Sequence, residues 1–553
     1  MLLLALFAGA AAQTVLTVDL LSPLGPALSP LVFGANGPLG AVTPDPHAPY
    51  PLLRWGGNAA TRYNPFHDVG NHAADWFFLN EPGPGGTDVA WLNSLAAQNA
   101  SGLLTVTTIG WLACSGGVWG PQCATKAPGF SVRKYGAQQS TECSATGNPS
   151  WCSADAGSGV WAGNATPVSG NDPADTSVRS ANASHALAWL GRLAALPSFG
   201  SLRGVMLDNE PNLWASTHRD VHPLPTTYEE LWASIVAFAA PIRAAYPHLE
   251  VHGPQSWGWC AYFNSAVQDG GDCTAGADRR AHGGTPLLQW LLQQLAAYQA
   301  QHGVLLLTHL DVHAYPQAKG VTGSAEDEPT GALRLRSTGM WADPAYVDES
   351  WIAQPVALLP RLRGWLAAAN ATALGIRLSV SEYSFGAEQL VTAGVAHAET
   401  LALLAREGVH EAAVWGAPAP GSPSAQAWAL FLSYDGAGAA VAGAPLPANS
   451  SHPTAATAYA FAQGSLLRVL LVGKTLPSAG AAAGACQLAL AWPPSTPSST
   501  AATAQLYGFS AAAPRLQHLG SVRVACGQGA PPTPLLLGAW SATLLVLDTA
   551  ACQ

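Results

Sequence analysis

Two stretches of this sequence end an apolar run on a carboxyl group. One reads Val205-Met206-Leu207-Asp208-Asn209-Glu210-Pro211 and the other Leu378-Ser379-Val380-Ser381-Glu382-Tyr383. Runs of this kind read as buried strands, and a glutamate where such a run stops lies at the strand's mouth. A single glutamate in that position can simply cap the next helix or pair with an arginine. Two of them across one cleft supply what glycosidic bond hydrolysis requires. One protonates the leaving oxygen, and the other attacks the sugar or activates water.

The elements that must position these residues follow from the apolar pattern. Strands are predicted at 31–36, 52–58, 103–111, 202–209, 249–255, 305–315, 376–382 and 411–416, mostly as continuous apolar runs, as parallel strands covered on both faces require. Helices are predicted between most of them, at 88–100, 184–196, 228–246, 286–302, 346–369 and 394–407. Strand–helix units in this order predict an α/β fold, a (β/α)8 TIM barrel over 31–432. A doubly wound open sheet is the alternative, but no Gly-rich phosphate loop follows any strand. Glu210 and Glu382 end the fourth and seventh strands, which nearly face each other in a barrel of eight. After residue 433 the pattern changes to short strands, predicting a β-sandwich over 433–553, joined by a strand within 13–30. Residues 113–182, after the third strand, form an insertion with four cysteines, expected to wall the cleft.

Composition narrows the partners. Only 10% of the 553 residues are charged and the formal charge is -10, which leaves no basic patch for nucleic acid. Twenty tryptophans suit a carbohydrate cleft, since indole faces stack on pyranose rings. Trp55, Trp111, Trp214, Trp257, Trp259 and Trp415 lie at or just beyond strand ends, where some are expected to stack on sugars and others to pack. Residues 1–12 form a short apolar run ending in small residues and read as a secretory signal, although a positive leading region is missing. Secretion without a membrane span is therefore expected. Neighbouring cysteines suit disulfides: Cys114 with Cys123, Cys143 with Cys152, Cys260 with Cys273 and Cys486 with Cys526, leaving Cys552 over. Glycosylation triplets at Asn99, Asn164, Asn182, Asn370 and Asn449 fit an exported glycoprotein.

Further motifs surround the two glutamates: Arg54-Trp55-Gly56-Gly57-Asn58, SVRKYG at 131–136, GNDPADTS at 170–177, LDNEPNLW at 207–214, DVHAYP at 311–316, WADPAYVDESWI at 341–352, SEYSFG at 381–386 and SYDG at 433–436. In this order they resemble glycoside hydrolase family 44, in the clan of barrel glycosidases with glutamates on strands four and seven. The resemblance implies that Glu210 is the general acid/base and Glu382 the nucleophile of a retaining endo-β-1,4-glucanase acting on cellulose-type glucan or xyloglucan. It implies that Asn209 hydrogen-bonds the sugar 2-hydroxyl, that Arg54 keeps Glu382 ionised, and that Tyr315 donates to Glu382. Arg54, Asn58, Trp111, Trp214, His313, Tyr315 and Trp415 join Asn209 as substrate-binding candidates. One departure is plain: where the family continues after Tyr-Asn with an aromatic-acidic pair, this chain has Pro65-Phe66-His67-Asp68.

Rival chemistries have weaker support. His309, Asp311 and His313 alternate on one strand, but their spread suits a single zinc ion poorly, and neither a CxxC knuckle nor an HExxH motif is present. No metal ligand is therefore assigned and no cofactor is expected to be required. The run Glu326-Asp327-Glu328 could hold a structural calcium, but reads first as a solvated charge run. A non-catalytic glycan-binding wall protein has no need of both glutamates. A monomer acting on a β-glucan is the expectation carried forward.

Overall fold

The computed structural model describes residues 13–552, apart from residues 47, 181, 269–272, 274, 275, 495 and 497–500. The expected secretory segment 1–12 lies outside the described residues. Eight parallel strands close into a barrel: β1 Gly34–Pro38, β2 Leu52–Gly56, β3 Ser101–Val106, β4 Leu202–Leu207, β5 Glu250–Ser256, β6 His309–Ala314, β7 Arg377–Tyr383 and β8 Glu411–Trp415. β8 pairs with β1, so no edge is left open. Every residue of β2 and β6 is buried, because each strand is covered by the barrel interior on one side and by helices on the other.

The outer ring holds α1 Thr87–Gln98, α2 Ser184–Ala194, α3 Tyr228–Ala245, α4 Leu287–His302, α5 Glu328–Ser337, α6 Leu358–Ala368, α7 Val391–Arg406 and α8 Ala425–Leu432. Thr227 starts α3 by accepting from the Glu230 N–H, with Glu229 and Glu230 in the positive first turn. Among the described residues no helix joins β1 to β2. The helix expected at 346–369 begins only at Leu358, after Pro344 and Pro355 have broken the segment before it.

Two further sheets pack on each other outside the barrel. One holds four strands in the order Ala448–Ser450, Thr14–Asp19, Ala485–Ala491 and Thr533–Leu536. The other holds six: Ala444–Leu446, Ala456–Gln463, Leu466–Gly473, Ser541–Asp548, Ala501–Ser510 and Ala513–Ala525. Leu16, Val18, Val469, Leu471, Leu488 and Leu545 fill the space between them. The six-stranded sheet turns Phe461, Leu470, Phe509 and Leu544 into the same apolar cluster as the barrel's outer helices. Helix α7 lies in that join and is buried from Val391 through Ala405, which explains its apolar character on every side.

Disulfides join Cys114 to Cys123, Cys143 to Cys152 and Cys260 to Cys273, as expected. The fourth corrects the sequence reading. Cys526 pairs with Cys552, and Cys486 is a free, buried thiol. The final turn Thr549–Cys552 is tied by Thr549 to the Ser465 carbonyl, which brings Cys552 back to the end of the strand carrying Cys526. Cys486 sits instead in a strand of the opposite sheet.

The insertion is bound to the barrel through its own motifs. Tyr135 and Lys134 of SVRKYG both reach Asp175 of GNDPADTS, each at 2.5 Å. Asn171 donates to the Asp220 carbonyl, while buried Arg62 bridges Ser177 and the Asp220 carboxylate.

Candidate active site

The site is built on the ends of β2, β4, β6 and β7. Arg54 on β2 is fully buried and donates from one nitrogen to Glu382 Oε1 at 2.6 Å and from another to Asn209 Oδ1 at 2.8 Å. Glu382 Oε2 accepts from the Tyr315 hydroxyl at 2.9 Å. His313 Nδ1 lies 2.8 Å from Glu210 Oε1 and 3.4 Å from Glu382 Oε2. One carboxylate oxygen of Glu210 and one of Glu382 stand within 4.8 Å of each other.

Local backbone geometry aims these groups. After β4 the chain takes left-handed conformations at Asp208 (φ 70°) and Glu210 (φ 45°), costly for non-glycine residues by roughly 1–3 kcal/mol each. Asp208 secures the turn. Its buried carboxylate accepts from the N–H groups of Thr108, Ile109 and Asn209. On β7, Val380 pairs with Val312 but Glu382 pairs with His313, so Ser381 is the extra residue of a bulge. Strict alternation would send Ser381 and Glu382 to opposite faces; the bulge lets both reach His313. Asn36 captures the Ser381 carbonyl at 3.1 Å.

The Gly56-Gly57 pair exists for packing. A Cβ on Gly56 would lie 2.6 Å from the Arg54 guanidinium carbon, and one on Gly57 2.5 Å from the Trp415 ring. Gly57 also has φ +79°, a conformation that favours glycine.

Charges around the pair are uneven. Burial pushes the Glu210 carboxyl up to about 8; Arg54 opposes the rise and Asp75 adds to it. Burial pushes His313 down to about 3, with Glu382 opposing and Arg54 adding, so the imidazole is neutral. A neutral acid beside an arginine-paired carboxylate separates the two roles that hydrolysis needs.

The hydrogen-bond polarity beside the pair is also determined. Arg54 can only donate, so the Asn209 oxygen faces it. The Asn209 amide nitrogen therefore donates to Asn58 Oδ1 at 3.2 Å, and the Asn58 nitrogen donates to the Asp75 carboxylate at 3.0 Å. Asp75 was not among the sequence candidates, nor was Ser381. Asp75 lies 17 residues beyond Asn58 in a short turn, and nothing in local sequence announces the contact.

The remaining candidates divide by exposure. Trp111, Trp257 and Trp415 are half-buried, whereas Trp55, Trp214 and Trp259 lie in the core. Trp214 is thus corrected: at 2% exposure, packed with Ile109 and Val221, it has no face to offer a sugar. Trp111 carries the Arg179 guanidinium over its ring at 4.1 Å. The side chains of Arg54 and His313 have no exposed surface and contact the carboxyl groups of Glu382 and Glu210. Asn58, Tyr315 and Trp415 remain around the cleft, whereas Asn209 is itself only 2% exposed, with its oxygen on Arg54 and one amide hydrogen on Asn58.

Two clusters among the described residues carry groups that could hold a metal ion. Glu210, His313 and Glu382 could each turn one atom toward an ion, but Arg54 already occupies one Glu382 oxygen at hydrogen-bond distance. At the opposite end of the barrel, Glu250, His252, His309 and Glu411 cluster. There the His252 and His309 rings stack in parallel at 4.1 Å, so no point lies in the plane of both as coordination requires. Arg203 and Arg377 also pair with the glutamates of that cluster. The carboxylates of Glu326, Asp327 and Glu328 diverge: Glu326 accepts from Thr392, Asp327 caps α5 and Glu328 accepts from Ser478.

A closed parallel barrel whose carboxyl end brings two carboxyl oxygens within 4.8 Å of each other fits a glycoside hydrolase. The sequence profile of glycoside hydrolase family 44 matches residues 69–318. CelM2, described as a bifunctional glucanase-xylanase protein from a metagenome library, superposes on the chain with a TM-score of 0.85 at 30% identity. That match covers 97% of this chain and 99% of CelM2. The chain belongs to glycoside hydrolase family 44. The xyloglucanase of Paenibacillus polymyxa shares the fold, with a TM-score of 0.74 at 21% identity over 98% of this chain and all of that one. The beta-mannanase/endoglucanase A of Caldicellulosiruptor saccharolyticus is 26% identical over 518 residues, 90% of this chain. This chain spans 36% of that protein's length.

Proposed function

We propose that the protein is a secreted, retaining endo-β-1,4-glucanase that cuts cellulose-type glucan or xyloglucan by double displacement, with Glu382 as nucleophile and Glu210 as acid/base. The observation that carries this reading is the pair of carboxyl oxygens within 4.8 Å of each other. Retaining glycosidases hold their carboxyl groups about 5–5.5 Å apart, whereas inverting ones leave about 6.5–9.5 Å for a water. In the first step a Glu382 oxygen bonds to the anomeric carbon as the glycosidic C–O bond breaks, and the Glu210 proton passes to the leaving oxygen. In the second, water attacks the glycosyl ester, Glu210 takes a proton from it, and Glu382 leaves as carboxylate. In this reading the second amide hydrogen of Asn209 binds the sugar 2-hydroxyl, and Trp415 stacks beneath a ring. No step calls for a cofactor.

Support for the substrate class comes from relatives named endoglucanase, β-mannanase, glucanase-xylanase and xyloglucanase. Support for export comes from four disulfides and from exposed glycosylation triplets. No helix of the described residues is long and apolar enough to cross a membrane. The test is mid-chain cleavage of xyloglucan, carboxymethylcellulose and mixed-linkage β-glucan by wild type, Glu210→Gln and Glu382→Gln, each shown to be folded. Cleavage of at least one polymer with retained anomeric configuration, lost by about three orders of magnitude in either variant, is expected. Activity surviving both substitutions, or an inverted first product, overturns the assignment.

A further inference from the structure

His313 sits between two hydrogen-bonding systems whose polarity can be worked out. On its far side, Nε2 lies 3.1 Å from Ser381 Oγ. That hydroxyl has one proton, and it stands 2.6 Å from Asp311 Oδ1. Two oxygens at that distance share a proton, so an ionised Asp311 claims the serine proton. Ser381 Oγ can then only accept from the ring. A neutral imidazole with its proton on Nε2 has a bare lone pair on Nδ1, and Nδ1 faces Glu210 Oε1 at 2.8 Å. The proton in that contact must come from Glu210. Asp311, Ser381 and His313 are each at most 1% exposed, so water does not compete for these bonds.

We propose that Asp311, acting through Ser381, is a positioning residue that fixes the His313 tautomer with its proton on Nε2, and thereby keeps the Glu210 proton on the carboxyl group. The inference deepens the reading of Glu210 as the acid and rests on it for its consequence in turnover. The bulge at Ser381 is what makes the device feasible, since without it Oγ and the Glu382 carboxylate would not share His313. The opposite arrangement, with the proton on Nδ1, demands a protonated Asp311.

The surroundings fit a neutral-pH window. Glu210 is faced by Arg54 from β2, His313 and Tyr315 from β6, Glu382 from β7, Asp75 from the turn Ala73–Trp76 and Tyr262 from the helix Trp259–Phe263. Asp311 is faced by Ser379 and Ser381 from β7, Arg54 from β2 and Glu411 from β8. Burial raises Asp311 to about 6 against the hydrogen bond from Ser381 and the nearby Ser379 hydroxyl, so it is ionised near neutrality while Glu210 is still protonated.

The test is nitrogen NMR of protein carrying heavy-nitrogen-labelled histidine, with the His313 signal assigned by its absence in His313→Gln. Near neutral pH, wild type is expected to show a neutral ring protonated on Nε2. In Asp311→Asn the amide donates to Ser381, the hydroxyl turns to Nε2, and the ring proton moves to Nδ1. The alkaline limb of kcat/KM then falls by about one pH unit with little change in KM at lower pH. Ser381→Ala, should Asp311→Asn not fold, is expected to give a mixture of tautomers. A wild-type ring protonated on Nδ1, or an unchanged tautomer in whichever variant folds, overturns the inference. The tautomer is read without substrate, so an inactive wild type refutes the proposed function while leaving this result interpretable.

Discussion

Glu210 stands on a left-handed backbone, two residues after Asp208 in the same strained region, with its carboxyl mostly buried. Strain and burial act together: the turn after β4 points the acid into the barrel mouth, and burial holds its proton. Raised to about 8, Glu210 should lose that proton only above neutrality, so hydrolysis is expected to fall as pH rises through about 8. Asp75 contributes to that position as a nearby negative charge. Asp75 is exposed, and a water-screened charge interacts by about 1 kcal/mol at about 4 Å, or somewhat under one pH unit. Asp75→Asn is therefore expected to move the alkaline limb down by about half a pH unit. It should also lower kcat more than it raises KM, since the acceptor that ends the chain Asp75–Asn58–Asn209 loses its charge. The pH dependence of kcat and of kcat/KM on a soluble β-glucan checks both.

At the scale of elements, β2 and β8 meet through glycine. A methyl group on Gly57 would collide with the Trp415 indole, and φ +79° strains any other residue. Gly57→Ala is expected to displace Trp415 and raise KM several-fold, at a stability cost of about 1–3 kcal/mol. Tryptophan fluorescence and KM measured together separate this from a global loss of fold. Most of the eight barrel strands were legible in the sequence because strands buried on both faces tend to keep an apolar run, although polar residues such as His309, Asp311 and His313 interrupt it. Glu210 and Glu382 were legible because each ends such a run on a carboxyl group. The Ser381 bulge was not, since its extra residue looks like any strand residue until the neighbours' register is known. Asp75 escaped for a similar reason, being joined to Asn58 across a turn. Trp214 misled because its neighbour Glu210 faces the cleft while its own ring turns into the core. The disulfide of Cys526 went to Cys552 because the last turn folds back on the sheet, a matter of tertiary path that cysteine spacing does not encode.

At the scale of the whole molecule, barrel and sandwich are held by a polar clasp set within the apolar join. Glu399 of α7 is buried and accepts from Thr338, Thr457 and Tyr459, with Lys474 of the six-stranded sheet at 2.8 Å. Burial works to raise this carboxyl, but Lys474 and the hydroxyl donors outweigh it and hold it below the usual carboxylate range. A depressed carboxyl stabilises the fold at pH above its unfolded value, and that contribution disappears as pH falls through the folded value. The clasp should therefore weaken in acid, below the ordinary range. Lys474→Met leaves Glu399 buried without its cation and is expected to cost about 3–5 kcal/mol. Adding Glu399→Gln should recover much of the loss, and calorimetry of the single and double variants measures it.

The strand Thr14–Asp19 lies between Ala448–Ser450 and Ala485–Ala491, although the whole barrel intervenes in the chain. During synthesis this strand emerges before the barrel and has no sheet to enter until several hundred residues later. A ribosome thus releases a nearly complete barrel with a bare hydrogen-bonding edge still trailing from it. Translation that stalls anywhere in the barrel leaves that edge exposed. The two sheets consequently close only when both distant parts of the chain have been made.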